Sequence, residues 1–271
     1  MGGEEHEAGG GTAAPLAVVI GASGGLGAAL VHGLRREPHW PRVLALSRTP
    51  PDKVWDAAAE APADATRDAT PDRPTAGLAH GRIDLTDPDS IAAAARQAAA
   101  LGEVRLVIVA TGLLHGPGVA PEKHWGAIDP QAMATLFAVN CTGPALVARH
   151  FLPLMPRRGR SVFAAISARV GSIGDNRLGG WYGYRASKAA LNMTLKGLAI
   201  ELARRSPEAL CIGLHPGTVD TALSRPFQTG VAAGRLFSPD ASAARLLAVI
   251  DSTGPEHSGS VLAWDGSVVP P

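Results

Sequence analysis

The sequence predicts a doubly wound α/β fold: a mostly parallel sheet of about seven strands with helices on both faces. Short runs rich in Val, Ile and Leu recur along the 271 residues without strict alternation, which is typical of parallel strands buried on both faces. Amphipathic stretches of helical length separate these runs, and a glycine-rich turn follows the first one. Alternating strands and helices imply right-handed crossovers within a single sheet.

The strands and helices can be assigned in order along the chain. Apolar runs predict strands at residues 16–20, 42–46, 104–110, 161–167, 210–215 and 260–264. Helices are expected from about Gly25 to Arg36, after the Thr-Asp-Pro at 86–88, from about Gln131 to Met155, from about Tyr182 to Arg204, and over 239–251. Pro88 suits a first helical turn, with Thr86 or Asp87 as its cap.

We predict one domain over residues 15–271, preceded by a disordered leader at residues 1–14 that is rich in glycine and acidic residues. Residues 49–79 are rich in Pro, Ala, Asp and Thr, and we expect them to form a long solvated excursion with at most one helical turn. Residues 221–237 mix apolar and turn residues just after a strand end. An α/β fold places ligands there, so we expect this stretch to form a substrate lid.

Composition and charge exclude several classes of protein. With Lys+Arg 25 against Asp+Glu 24, the net charge of +1 provides no field that would attract nucleic acid or anionic lipid. The two cysteines, Cys141 and Cys211, cannot form a disulfide framework, which favours a reducing cytoplasm. No apolar run of about 18 residues predicts a membrane span, and no signal peptide or metal-like histidine pair is evident. We therefore expect a cytoplasmic protein that binds small molecules or its own copies.

The glycine-rich turn predicts a dinucleotide-binding Rossmann fold. Gly21, Gly25 and Gly27 separate the first strand from the first helix, with Ser23, Gly24 and Leu26 completing the turn. Glycine permits the tight turn and the close approach of a pyrophosphate, which then faces the free amides at the helix N-terminus. Helix entry and tight packing also select glycine, but the position after an apolar strand that opens a βαβ series favours the dinucleotide.

The end of the second predicted strand indicates which dinucleotide is bound. An acid about 20 residues past the glycines binds the ribose of NAD, whereas a basic residue accommodates the additional phosphate of NADP. This chain has Ser47 and Arg48 there, so the sequence predicts NADP(H). The alternative is that Arg48 is a solvated surface charge.

The segment Gly-Trp-Tyr-Gly-Tyr-Arg-Ala-Ser-Lys contains both tyrosines of the chain. Tyr184 and Lys188 are four residues apart on a predicted helix and therefore lie on one face, whereas Tyr182 points elsewhere. An ammonium about 4 Å from a phenol, worth about 4 kcal/mol in partly screened surroundings, would lower the phenol's pKa by up to roughly three. We expect Tyr184 to exchange a proton with a carbonyl oxygen whose carbon receives a hydride. The alternative is an incidental pair on a helix surface.

These motifs together resemble the short-chain dehydrogenase/reductase family. Gly-Ala-Ser-Gly-Gly-Leu-Gly, Asp-Leu at 84–85, the asparagine of Ala-Val-Asn-Cys-Thr-Gly, Tyr-Arg-Ala-Ser-Lys and His-Pro-Gly-Thr-Val-Asp-Thr occur in the family's order and spacing over Leu16 to Gly266. The segment 168–192 is similar to the branch that contains C-factor-like signalling proteins and sniffer-type carbonyl reductases. The resemblance implies a Rossmann fold and a nicotinamide cofactor.

The resemblance also implies roles for individual residues. Tyr184 matches the acid/base, Lys188 matches the lysine that also holds the nicotinamide ribose, and Asn140 matches the asparagine whose helix kink holds the water of a proton relay. From the residues alone, Asn140 could equally be a polar residue inside a helix and Asp84 a turn or cap residue. The implied cofactor contacts are Asp84, Leu85, Ala110, Thr111, Gly112, Tyr184, Lys188, Pro216, Gly217, Val219 and Thr221.

Two positions depart from the family pattern. Val-Ala-Thr-Gly at 109–112 replaces the usual Asn-Asn-Ala-Gly, although Thr111 can supply a hydroxyl. Ala168 stands where the family has its catalytic serine. Neighbouring strand residues face opposite sides of a sheet, so Ser167 replaces Ala168 only through a bulge or shift. Ser172, in the following loop, is an equal candidate, and a vacant serine role is the third possibility.

The function predicted from these residues is NADP(H)-dependent reduction of a carbonyl, or oxidation of an alcohol, on a small and largely apolar substrate. The resemblance implies a homodimer or homotetramer assembled through the helices that begin near Gln131 and Tyr182. The rival prediction, motivated by Ala168 and the altered segment at 109–112, is a nucleotide-binding regulator with little or no turnover. An epimerase or dehydratase of the same superfamily is less favoured, because those chains carry a longer substrate region.

Overall fold

A computed structural model of the protein describes residues 13–49, 77–232 and 234–271. Its strands are β1 (Pro15–Ile20), β2 (Arg42–Ser47), β3 (Gly77–Arg82), β4 (Glu103–Val109), β5 (Ser161–Ile166), β6 (Ala209–His215), β7 (Thr218–Val219), β8 (Leu236–Phe237), β9 (Val261–Ala263) and β10 (Val268–Val269). Its α-helices are α1 (Gly25–Arg36), α2 (Pro88–Leu101), α3 (Pro130–Phe137), α4 (Gly143–Phe151), α5 (Tyr182–Arg205) and α6 (Pro239–Ser252).

The main sheet confirms the doubly wound, mostly parallel architecture. Its strand order is β10-β9-β6-β5-β4-β1-β2-β3, and all neighbours are parallel except β9 and β10. The described sheet has eight strands instead of about seven, because the chain turns back after β9 and adds the short β10. The order reverses between β1 and β4, which places a crevice at their carboxyl ends.

The expected excursion over residues 49–79 was too long, because its last residues belong to strand β3. Residues 77–79, assigned to a solvated loop from composition, begin an edge strand that pairs in parallel with β2, Arg42 opposite Gly77. The strand reads Gly-Leu-Ala-His-Gly-Arg and is only partly buried, so it has little of the apolar pattern that reveals a central strand. Residues 50–76 of the excursion and residues 1–12 of the leader lie outside the described residues.

The helix expected over residues 131–155 is interrupted. α3 passes into a π-helical turn at Ala138–Thr142, continues as α4, and ends in a 3₁₀ turn at Leu152–Leu154. By length and composition, this run from Pro130 to Leu154 is the one described helix that could cross a membrane. Here it packs between α2 and α5, and Phe151 and Val147 are fully buried in the core.

Two apolar layers bury the sheet on both faces. One layer joins the sheet to α2, α4 and α5, and includes Phe151, Phe163 and Leu195. The other joins it to α1 and α6, and includes Leu30 and Leu246. The sheet is therefore a rigid platform, and the polar residues that follow its strands meet along one edge.

Candidate active site

The turn between β1 and α1 has the features of a phosphate-binding loop. Gly21 has φ of +88°, and a Cβ on Gly27 would lie 2.1 Å from the carbonyl oxygen of Gly21, so neither position tolerates a side chain. Gly24 is the N-cap of α1 and provides no side-chain cap, and the first turn contains no acidic residue. The first amides of α1 therefore remain open to an anion, with Ser23 and Gly25 exposed beside them and Leu26 half-buried.

Charged groups follow β2 and β3 at the same edge. Ser47 is buried and its hydroxyl donates to the carbonyl of Thr49 at 2.5 Å, while Arg48 is exposed. Hydrogen bonds from the N–H and hydroxyl of Thr86 hold the pKa of Asp84 below its usual value, and Arg48 adds a smaller effect in the same direction. Arg48 is thus close enough to Asp84 to influence its charge, on the side of the crevice where the sequence places the adenosine.

The segment after β4 lies between the glycine turn and α5. The Thr111 methyl would be 2.9 Å from a Cβ on Gly21, and the buried Thr111 hydroxyl has no hydrogen-bond partner among the described residues. A Cβ on Gly112 would lie 3.8 Å from Lys188 Nζ. Ala110 and Gly112 therefore line the crevice, and the Thr111 oxygen is a polar group that a ligand can satisfy.

α5 places Tyr184 and Lys188 on one buried face, 7% and 2% exposed. The structure contradicts the expectation that Lys188 lowers the phenol's pKa. Nζ lies 5.9 Å from the Tyr184 ring centroid and donates to the carbonyl of Ile166 at 2.8 Å. Burial raises the pKa of Tyr184 to about 12 and lowers that of Lys188 to about 8. Desolvation is the cause of the shift in the phenol's pKa, so burial favours the protonated form of Tyr184.

The π-helical turn inserts Asn140 between β4 and α5. Its fully buried amide accepts from the N–H of Leu113 and donates to the Leu113 carbonyl, both at 2.8 Å, and also donates to the Ser187 hydroxyl at 3.1 Å. One side chain thus fixes the segment after β4 and contacts α5 three residues beyond Tyr184. π-bulges are frequent at functional sites because they aim a side chain out of helical register.

The two candidate serines both have partners away from the phenol. The Ser167 hydroxyl donates to Asn192 Oδ1 at 2.6 Å, and the Ser172 hydroxyl lies 3.4 Å from the Pro271 carbonyl and accepts from the N–H of Asp175 at 3.0 Å. Ala168, in contrast, packs in the apolar cluster that contains Tyr184. The structure thus brings Ala168 to the cluster around the phenol, while both serine hydroxyls have other hydrogen-bond partners.

The loop after β6 faces the glycine turn across the crevice. Gly217 has φ of +76°, and the Pro216 carbonyl accepts from the Ser242 hydroxyl at 2.9 Å. The Thr221 methyl would lie 3.0 Å from a Cβ on Gly25. Thr221 therefore approaches the start of α1, and the assignment of Pro216, Gly217, Val219 and Thr221 to the cofactor remains a prediction.

Three loops form an aromatic wall. Trp181 and His115 are expected near the cleft from their sequence positions, whereas the role of Phe227 was missed. Phe227 contacts Trp181 and His115 edge-on, at centroid distances of 5.0 and 5.6 Å, and Trp181 contacts Tyr184 at 6.3 Å. His115 Nε2 lies 3.1 Å from the carbonyl of Leu223, so it donates to the segment expected to form the lid. The available signal for Phe227 was an aromatic residue in the segment expected to form the lid. In the described part of the chain, no three metal-ligating side chains gather.

The chain is similar to known proteins in sequence and in fold. The chain matches the short chain dehydrogenase family over residues 15–231. It is 37% identical over 145 residues to the C-signal of Myxococcus xanthus, covering 54% of this chain and 82% of that protein. An NADPH-bound carbonyl reductase from chicken fatty liver has a TM-score of 0.75 at 23% identity, covering 96% of this chain and 99% of that one. The carbonyl reductase Sniffer of D. melanogaster has a TM-score of 0.75 at 21% identity, covering 96% and 100%. The chain therefore belongs to the short-chain dehydrogenase family.

Proposed function

We propose that the protein is an NADP(H)-dependent carbonyl reductase that acts on a small, largely apolar carbonyl compound, or on the matching alcohol in the reverse direction. The observation that carries this proposal is the buried phenol of Tyr184, placed by α5 beside Lys188 and against an apolar cluster at the carboxyl edge of the sheet. A phenol in such a place has one evident chemical use, the transfer of a proton to or from an oxygen.

The residues around the crevice fit the cofactor. The uncapped N-terminus of α1 suits the pyrophosphate, Arg48 suits the additional phosphate of NADP, and the unpartnered hydroxyl of Thr111 provides a further polar contact. Lys188 lies within reach of Gly112 and is assigned the ribose contact that the family implies. When bound, the reduced nicotinamide supplies the hydride that adds to the carbonyl carbon. The chicken carbonyl reductase, which shares the fold, binds NADPH.

Tyr184 would donate its proton to the carbonyl oxygen as the carbon–oxygen double bond becomes a single bond. Because burial raises the pKa of Tyr184 to about 12, the group starts in the protonated form that reduction requires. The charge left on the phenolate is offset by the ammonium of Lys188, which its hydrogen bond to the Ile166 carbonyl holds in place. Alcohol oxidation would start from the phenolate, which the burial of Tyr184 disfavours at neutral pH.

The apolar surroundings of the phenol support an apolar substrate. Leu114, Val119, Leu136 and Ala168 belong to the cluster around Tyr184, and Trp181 and Phe227 pack against it. With Ala168 in the serine position and both serines bonded elsewhere, the phenol would polarise the carbonyl without a serine's help. We therefore propose low intrinsic turnover and a preference for reactive, apolar aldehydes or ketones.

A panel of aldehydes and ketones, followed by NADPH oxidation, tests the proposal. The expected result is turnover of apolar members that is lost in Tyr184→Phe while NADPH binding persists. Tight NADPH binding without turnover of any member would favour a nucleotide-binding regulator instead. Turnover that survives Tyr184→Phe would overturn the proposed mechanism.

A further inference from the structure

The catalytic helix has no N-cap of its own. Trp181 occupies the N-cap position of α5 without a side-chain hydrogen bond, and its φ is +52°. Gly179 and Gly180 before it both have φ of +64°. Three consecutive left-handed residues, one of them a tryptophan, persist only where neighbouring groups hold them, since each non-glycine residue there costs about 1–2 kcal/mol.

Glu122, from the loop after β4, is the residue that holds them. Its carboxylate, in a residue only 5% exposed, accepts the N–H of Gly183 at 3.1 Å (Oε1) and 3.3 Å (Oε2). Its backbone carbonyl accepts the N–H of Trp181 at 2.6 Å. The side chain of a distant loop therefore does for α5 what an N-cap residue does for other helices.

Gly183 makes this contact possible. A Cβ at this position would lie 3.0 Å from Glu122 Oε1 and 2.7 Å from Leu136 Cδ1, so a side chain there would displace the carboxylate. The first turn of α5 contains no acidic residue, and Glu122 thus also supplies the negative charge that favours a helix N-terminus.

The residues fixed by Glu122 adjoin the reacting phenol. Gly183 precedes Tyr184, and Trp181 contacts both Tyr184 and Phe227 edge-on. A shift of residues 181–183 would therefore move the phenol and the aromatic wall together.

We propose that Glu122 is a positioning residue, which sets the place of the Tyr184 phenol by capping α5 from the neighbouring loop. This inference rests on the proposed function, because Glu122 acts on the reaction only through Tyr184. Its action depends on the reach of the side chain more than on its charge.

Two substitutions separate reach from charge. Glu122→Gln keeps the length and one acceptor oxygen, so kcat at saturating NADPH should stay within about threefold of wild type. Glu122→Asp keeps the charge but is one methylene too short to reach Gly183, so kcat should fall about tenfold or more, with the NADPH Kd unchanged. Amide hydrogen exchange in the peptide spanning 181–185 should rise in Glu122→Asp and stay protected in Glu122→Gln.

Asp87→Ala is the matched control, because Asp87 caps α2 by accepting the N–H groups of Asp89 and Ser90. It should lose stability without losing kcat. The proposal would be overturned if Glu122→Asp kept the wild-type kcat and amide protection. It would also be overturned if kcat fell further in Glu122→Gln than in Glu122→Asp. Failure of the proposed function is recognised separately, by turnover that survives Tyr184→Phe, and the exchange measurement reports on the cap whatever the reaction is.

Discussion

At the scale of single residues, burial acts on Tyr184 and Lys188 in opposite directions. It raises the pKa of the phenol to about 12 and lowers that of the ammonium to about 8, because in each case the charged form loses its hydration. The neutral phenol is ready to donate, whereas the ammonium is held at a cost to the fold. Buried, protonated Lys188 therefore lowers the unfolding free energy of the protein by an amount that depends on pH.

This penalty predicts the pH dependence of stability. Between the folded pKa of about 8 and the unfolded value of 10.5, the unfolded chain binds more protons at Lys188 than the folded one, so this group's contribution to the unfolding free energy rises with pH. Relative to Lys188→Met, wild type should gain about 2 kcal/mol between pH 7.5 and 9.5 in urea unfolding. Lys196→Met, on the exposed side of α5, is the control. The prediction is wrong if the difference in unfolding free energy between wild type and Lys188→Met changes with pH as little as the difference between wild type and Lys196→Met.

The vacant serine position predicts a gain of activity. Ala168 packs against the cluster that contains Tyr184, so we expect a hydroxyl placed there to reach the carbonyl oxygen. Ala168→Ser should raise kcat for the best carbonyl substrate about tenfold or more, since one such donor is worth about 3 kcal/mol in favourable cases. Ser167→Ala and Ser172→Ala should leave kcat within about threefold, as their hydroxyls are bonded elsewhere. A large loss in either alanine variant would assign the role to that serine.

At the scale of elements, the π-helical turn ties the segment after β4 to α5 through Asn140. Its amide satisfies both the N–H and the carbonyl of Leu113, in addition to contacting Ser187. The usual strand-bracing asparagine is absent from Val-Ala-Thr-Gly at 109–112, so Asn140 carries much of the support for this part of the crevice.

Asn140→Ala should therefore be costly. Two backbone groups would lose their partners at a buried site, at about 1–3 kcal/mol each, and we expect a loss of about 3 kcal/mol or more in unfolding free energy. Asn192→Ala, which removes only the acceptor of the Ser167 hydroxyl, should cost about 1 kcal/mol. Equal losses in chemical denaturation would show that the π-turn has no special supporting role.

The sequence was informative where local chemistry decides structure. Gly25 to Arg36 is confirmed at both ends as α1, because the glycine turn and the basic last turn define it, and Pro88 begins α2 as predicted. The edge strand β3 lacks an apolar pattern and could not be predicted. The family resemblance implied a helix kink at Asn140, but its π-helical form depends on packing against Leu113 and Ser187. The direction of the Tyr184 pKa was predicted wrongly because burial, a tertiary property, outweighs the neighbouring charge.

At the scale of the whole molecule, the residues that the structure describes leave the outer face of α5 uncovered. Met193 and Ile200, one heptad apart, are 73% and 51% exposed. Apolar side chains in such a row on a long helix are typical of an interface. We propose that a second copy of the chain covers this face, as the family's common dimers and tetramers imply.

The double variant Met193→Glu with Ile200→Glu should therefore be monomeric in sedimentation velocity experiments in which wild type is a dimer or tetramer. Ile173→Glu changes an equally exposed apolar residue in a loop away from this face and should leave the assembly intact. A wild-type protein that sediments as a monomer at micromolar concentration would exclude the proposed interface.

The most direct measurement compares NADPH oxidation by wild type, Tyr184→Phe and Tyr182→Phe with the best carbonyl substrate. Tyr182 lies on the same helix, half-buried and two residues from the phenol, so its loss controls for general damage to α5. We expect a loss of about a thousandfold in kcat for Tyr184→Phe, with NADPH affinity retained, and near-normal turnover for Tyr182→Phe. Comparable turnover in Tyr184→Phe and wild type would contradict this expectation.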